Sequence, residues 1–111
     1  MTLNEVAKIS FANATRRQAN GGRIDTDTRK MLKHTATEVI EATEAFDDWR
    51  LDFRFNDPGL VEHNKQCFAD ELADIICCCT IIAGRENIDL DKAVADRLER
   101  NRLRAEGKAI I

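Results

Sequence analysis

Residues 72–83 of this 111-residue chain read LADIICCCTIIA. Asp74 is the one charge in that run. Wound as a helix, such a segment is apolar on nearly every side, and a helix of that kind is buried on nearly every side. A chain of this length makes one domain, residues 1–111, with a modest core. The segment therefore belongs at the centre of a helical bundle, and one chain is too small to surround it. The expectation is an all-α, compact four-helix bundle-like domain whose core is completed by a second subunit.

The rest of the sequence agrees with helix. There is one proline and no tyrosine. No window alternates apolar and polar residues long enough to suggest a strand. Four helices are predicted. The first covers residues 3–19, with Thr2 and Glu5 as a capping box and Leu3, Val6, Ala7, Ser10 and Ala14 on one face. The stretch NGG at 20–22 stops it. The second starts at Thr26 or Asp27 and runs to Leu51, where DFRFNDPG breaks it. The third covers 60–83, with Gly84 as the residue just past its end. The fourth follows Asp89 as N-cap and runs to Ala105, with Gly107 beyond.

Composition narrows the function classes. At 43% hydrophobic and 33% charged, the chain is too apolar for disorder and too charged for a membrane protein. Its longest apolar run, residues 75–83, is about half a bilayer span. A net charge of −3 argues against a general nucleic-acid binder. The first ten residues carry acid early and hold no apolar signal core. A soluble, cytoplasmic protein that binds neither nucleic acid nor membrane is expected. Reduced cysteines fit that setting.

Cys77, Cys78 and Cys79 invite a metal reading that helical geometry rejects. Successive side chains turn by about 100°, so the three point over an arc of roughly 200° and cannot meet on one ion. Zinc sites space their cysteines by two to four residues and add a second ligand pair, which Cys67 does not supply. The triplet reads as core packing.

The carboxylates are a different matter. In TEVIEATEAF, Glu38 and Glu41 lie three apart; in FADELADII, Glu71 and Asp74 do the same. Each pair shares a helical face and is embedded in apolar sequence. Four carboxylates between packed helices would repel one another and lose hydration unless a cation sat among them. Hard oxygen donors suit Mg²⁺, with Mn²⁺ an alternative. A di-iron bundle would want a histidine three residues after a glutamate. Neither His34 nor His63 is so placed. Glu44, Asp47 and Asp48 extend the acidic helix as a solvated face.

Downstream, DRLERNRLR sets Arg97, Arg100, Asn101 and Arg104 within an arc of about 100°. Guanidinium forks match phosphate oxygens. An alternative is a charged last turn that pairs with Asp96 or Glu99 and complements the helix dipole.

EVIEATEAF, FADELADII and AGRENIDLDKAVADRLERNRLR together resemble the MazG-like all-α nucleoside triphosphate pyrophosphohydrolases, over nearly the whole chain. FANATRRQANGG is similar to the first helix and glycine break of many members. The resemblance implies Mg²⁺-dependent hydrolysis of a nucleoside triphosphate to the monophosphate and pyrophosphate. It implies Glu38, Glu41, Glu71 and Asp74 as metal ligands and Arg97, Asn101 and Arg104 near the phosphates. Glu41 or Glu71 would take a proton from the attacking water. Two positions depart from the family. Thr37 stands where many members have a further glutamate, and Arg97 where lysine is common. Asn13 and Trp49 are candidate base contacts, and His34 sits one turn before Glu38. A homodimer or homotetramer is expected. Within the family, dUTP, dCTP or phosphoribosyl-ATP are alternative substrates. From another class, the rival is a non-catalytic helical interaction module that binds metal without turnover.

Overall fold

The computed structural model describes the backbone of residues 1–55 and 57–108, and the side chains of all of these except 52–55. The chain forms four helices: α1 Leu3–Ala19, α2 Thr28–Phe55, α3 Pro58–Arg85 and α4 Leu90–Ala105. Among the described residues there is no strand. The all-α, four-helix expectation holds.

The helix ends follow from local chemistry. The Thr2 hydroxyl accepts the Glu5 N–H at 3.1 Å, capping α1. Asp27 accepts the Lys30 N–H at 3.1 Å ahead of α2, and Asp89 accepts the Lys92 N–H at 3.1 Å ahead of α4. At the other ends, Gly21 and Gly107 take positive φ, of 81° and 72°. The Gly22 N–H then reaches Arg17 O at 2.8 Å, and the Lys108 N–H reaches Leu103 O at 2.9 Å. These are the backward bonds of a Schellman ending, which need the left-handed residue that glycine supplies.

Besides the start of α2, which is Thr28, the predicted boundaries change in two places. The third helix begins at Pro58, not residue 60, because Asp57 caps it: its side chain accepts the N–H groups of Gly59 and Leu60 at 3.1 and 3.2 Å. Pro58 occupies the first turn, where a missing N–H costs nothing. Correspondingly α2 runs through to Phe55, past the predicted Leu51. Of the predicted breaker DFRFNDPG, Asn56 lies outside the described residues. The second change concerns Gly84, which does not end α3. The helix continues to Arg85, and the left-handed residue is Asn87, at φ 54°.

Gly84 serves packing instead. A Cβ there would lie 2.6 Å from Ala7 O and 2.6 Å from Phe11 Cβ. The missing side chain lets α1 lie directly on α3. Ala7 and Ala14 of α1 are buried in that contact, and the buried Thr80 hydroxyl donates to Ser10 Oγ at 3.0 Å. The central cluster is Ala14, Met31, Cys78 and Ile81, with Phe11, Ile24 and Ile82 against it.

Helix α3 thus meets α2 on one side and α1 on another, and its remaining sides face out. Leu72 and Ile76 are 45% and 54% exposed. The packing assigned to the cysteine triplet is realised within the chain by Cys78 alone; Cys77 and Cys79 are exposed. Burial pushes the Cys78 thiol up from its ordinary pKa.

Helix α4 buries no residue. It is held by a reciprocal cap between two helix starts. Asp91 accepts the Leu3 and Asn4 N–H groups of α1 at 2.9 and 3.2 Å. The Asn4 side-chain oxygen in turn accepts the Leu90 N–H at 2.8 Å, and its Nδ2 donates to Asp89 at 2.9 Å. Each helix satisfies amide donors that the other leaves orphaned.

Gly84→Ala should separate α1 from α3 and lower unfolding stability by about 1–3 kcal/mol, measured by denaturant titration. Asn4→Ala should cost about 1 kcal/mol and loosen α4 selectively, read as faster hydrogen exchange of α4 amides than of α2 amides.

Candidate metal centre

Helices α2 and α3 form a long antiparallel hairpin whose shared seam is layered. At the closed end sits an aromatic layer: Phe68 lies 5.5 Å from Phe46 and stacks on Trp49 at 5.9 Å. At the far end sits the aliphatic layer of Met31, Cys78 and Ile81. Between the two lie Glu38, Glu71 and Asp74. The same 3.6-residue stripe that places Met31 and Phe46 in the seam places Glu38 there. The carboxylates are therefore flanked by apolar layers along the hairpin, as their apolar neighbours in sequence suggested.

One oxygen from each of Glu38, Glu71 and Asp74 lies within 4.8 Å of the others. Asp74 is at the open edge; Glu38 and Glu71 are half-buried. The Glu38 side chain is only 12% exposed, and its Oε1 lies 3.2 Å from His34 Nε2. Its other oxygen, Oε2, is buried with no hydrogen-bond partner, and so is Glu71 Oε2. Two such oxygens are costly while both carboxylates are ionised, and a proton shared between Glu38 and Glu71 relieves that cost in the metal-free chain. Burial raises the Glu38 pKa, and the charges of Glu41 and Asp74 and the contact with Glu71 push it the same way, while His34 opposes them.

A divalent cation answers that arrangement. Around Mg²⁺ adjacent ligand oxygens stand about 3 Å apart and opposite ones about 4.2 Å. The trio's oxygens lie within 4.8 Å of one another, so the side chains would have to draw together to hold one ion. The donor set is all carboxylate, which suits Mg²⁺ or Mn²⁺. Among the described residues this is the group of possible ligands that converges; the cysteines do not take part.

The other candidates are placed as follows. Glu41 is exposed, one turn from Glu38 and outside the converged trio, though close enough to raise the Glu38 pKa. Asn13 lines a cavity of about 240 Å³ with Ser10, Arg17, Asp74 and Cys77, so it borders the carboxylates. The Trp49 ring is engaged by Phe68, Phe46 and the Arg50 guanidinium, 5.1 Å from its centroid. Arg97, Asn101 and Arg104 are exposed on α4, which packs on α1; no α4 residue lines the cavity beside Asp74. The acids of α4 pair with Lys92 and Arg102, not with Arg97 or Arg104. The sequence reading passed over Arg17, which shares the cavity with Asp74. Its signal was weak, since a lone RR near a helix end is ordinary.

Glu38 holds its proton more tightly in the folded chain than unfolded. Metal-free stability should be highest below its ordinary value of 4.5 and fall as pH rises through the raised pKa. Glu38→Gln should remove that decline and raise the metal-free melting temperature at pH 7.5. Adding Mn²⁺ should stabilise the native protein at pH 7.5 and not the variant, measured by thermal melts with and without chelator.

The chain matches no family model, no curated protein and no solved structure with which it was compared.

Proposed function

We propose that the chain is a divalent-metal-dependent hydrolase of nucleoside triphosphates, of the MazG-like pyrophosphohydrolase kind, releasing a nucleoside monophosphate and pyrophosphate. The observation that carries this reading is the pair of buried, partnerless oxygens on Glu38 and Glu71, with an Asp74 oxygen within reach. A protein that needed those side chains only for packing would use leucine or glutamine there. Carboxylates left without partners between apolar layers make sense as ligands.

Glu38, Glu71 and Asp74 would hold the ion, which supplies charge neutralisation of a phosphate chain and a nucleophile at neutral pH. Glu41 stays outside the trio as an exposed carboxylate one turn away, free to take a proton from the attacking water. The His34 contact fixes the Glu38 carboxylate in place. Asn13, at the edge of the Asp74 cavity, offers an amide to a base or sugar.

The working unit in this proposal is a homo-oligomer. Leu32, Val39 and Ile40 of α2 and Leu72 and Ile76 of α3 are each about half exposed. The radius of gyration is 17.3 Å, against roughly 13 Å for a closed globule of this length. A second copy laid on the α2–α3 hairpin would cover those rows and complete a four-helix arrangement.

The test is incubation with each ribo- and deoxyribonucleoside triphosphate and Mg²⁺, following pyrophosphate. At least one nucleotide should be cleaved, and Glu38→Gln or Asp74→Asn should lower the rate by a hundredfold or more. No release from any nucleotide, with Mn²⁺ still bound, would favour a metal-binding interaction module.

A further inference from the structure

A second cavity, of about 260 Å³, opens where α1 ends and α2 begins. Its walls carry Arg17, Arg23, Lys30 and His34, over a floor of Ile24 and Met31. The one acid in the wall is Asp25, and it is already engaged. It accepts from Lys30 Nζ at 2.9 Å and from the Asp27 N–H at 2.9 Å. Among the described residues neither Arg17 nor Arg23 forms an ion pair. Two unpaired guanidiniums therefore share one concave wall in a protein whose net charge is negative. Like charges held together without a counter-ion repel, and a concave basic wall concentrates anions.

The connection that carries the wall is held at Thr26. The buried Thr26 donates to Gln18 Oε1 at 3.2 Å and accepts from Arg85 Nη1 at 3.0 Å, tying the connection between α1 and α2 to α3. Met31 beneath it is 1% exposed. The cavity is thus a feature of packed helices, bounded by core residues.

Its position matters more than its charge. His34 lines the cavity and also touches Glu38 at 3.2 Å. Arg17 and Ile24 line both this cavity and the one that holds Asp74. The basic cavity therefore abuts the carboxylate trio through three residues, His34, Arg17 and Ile24. Along α2, Lys30, His34 and Glu38 are spaced four apart, so His34 stands one turn, about 6 Å of helix rise, from each of the other two.

We propose that this cavity seats the terminal phosphates of the substrate, the part that leaves as pyrophosphate, with Arg17 and Arg23 as the contacts. Arginine forks fit phosphate oxygens two at a time, and Ile24 and Met31 limit hydration beneath them. On this assignment the residues that neutralise the leaving group come from the α1–α2 junction of the same chain, in contrast to the Arg97 and Arg104 face expected from the sequence. The proposal rests on the triphosphate-hydrolase reading for the identity of the ligand, while the anion site itself can be tested without turnover.

The experiment is calorimetric titration of the native protein with inorganic pyrophosphate in the presence of a chelator, so that no divalent ion contributes. Binding is expected, and Arg17→Ala/Arg23→Ala should weaken it at least tenfold. Mn²⁺ binding, followed by electron paramagnetic resonance, should be unchanged in that variant. Arg23→Glu alone changes an exposed residue and gives a second reading if the double variant does not fold; it should weaken pyrophosphate binding as well. Glu38→Gln should leave pyrophosphate binding in place. If pyrophosphate does not bind the metal-free protein, or binds undiminished in the arginine variants, the assignment is overturned. If Arg97→Ala/Arg104→Ala abolishes binding and the α1–α2 variants do not, it is likewise overturned. Loss of triphosphate hydrolysis as a general activity, with arginine-dependent pyrophosphate binding retained, would remove the function reading and keep the anion site.

Discussion

The seam between α2 and α3 is the interaction on which the molecule depends. Two helices of 28 residues each, joined by a short connection, lie side by side and antiparallel. One stripe on each supplies aromatic residues near the turn and aliphatic residues at the open end. Dispersion and burial along those two layers hold the helices together. The carboxylates between them have no choice of environment: the seam that the apolar layers form brings Glu38 and Glu71 into contact and takes two of their oxygens out of water. The electrostatic cost at the centre is sustained by the packing at both ends. Such an arrangement is common where a site stores unfavourable interactions for use on a ligand.

The remaining helices are added to that hairpin by contrasting means. Helix α1 lies on α3 through small residues: Gly84, Ala7 and Ala14 let backbones approach, so α1 reaches over the open edge of the carboxylate layer and brings Ser10, Asn13 and Arg17 to it. Helix α4 is attached by hydrogen bonds between helix starts and contributes no buried side chain. One chain therefore gathers a carboxylate cluster and leaves apolar side chains in its exterior. The apolar side chains of Leu32, Val39, Ile40, Leu72 and Ile76 are covered only in part by their own chain. Where a bundle usually turns such side chains inward, this one leaves them about half exposed.

Much of this was legible in the residues. The period of apolar positions identified four helices, and the caps at Thr2 and Asp89 follow from side-chain chemistry that acts over three residues. Pro58 and Gly84 were harder. A proline-glycine pair reads as a turn, yet Asp57 converts it into a first helical turn. A glycine near a helix end reads as a terminator, yet here it marks a close approach by α1, a partner some seventy residues away in sequence. Nothing local distinguishes those cases. The acidic pairs were visible because each sits in apolar sequence, which a solvated charge run does not.

The sequence by itself determined the helices, their apolar stripes and the presence of carboxylates on two of those stripes, because periodicity and capping are local. It did not determine which carboxylates meet. Only the register of α2 against α3 joined Glu38 to Glu71 and Asp74 and left Glu41 outside, since register depends on how side chains from two helices interlock. It did not show the basic cavity either. Arg17, Arg23 and Lys30 come from a helix end, a connection and the next helix, and they share a wall because Thr26 is tied to both Gln18 and Arg85. Equally, the apolar circumference of residues 72–83 set how much surface had to be covered, and the packing of α1 and α2 decided which part of it one chain could cover.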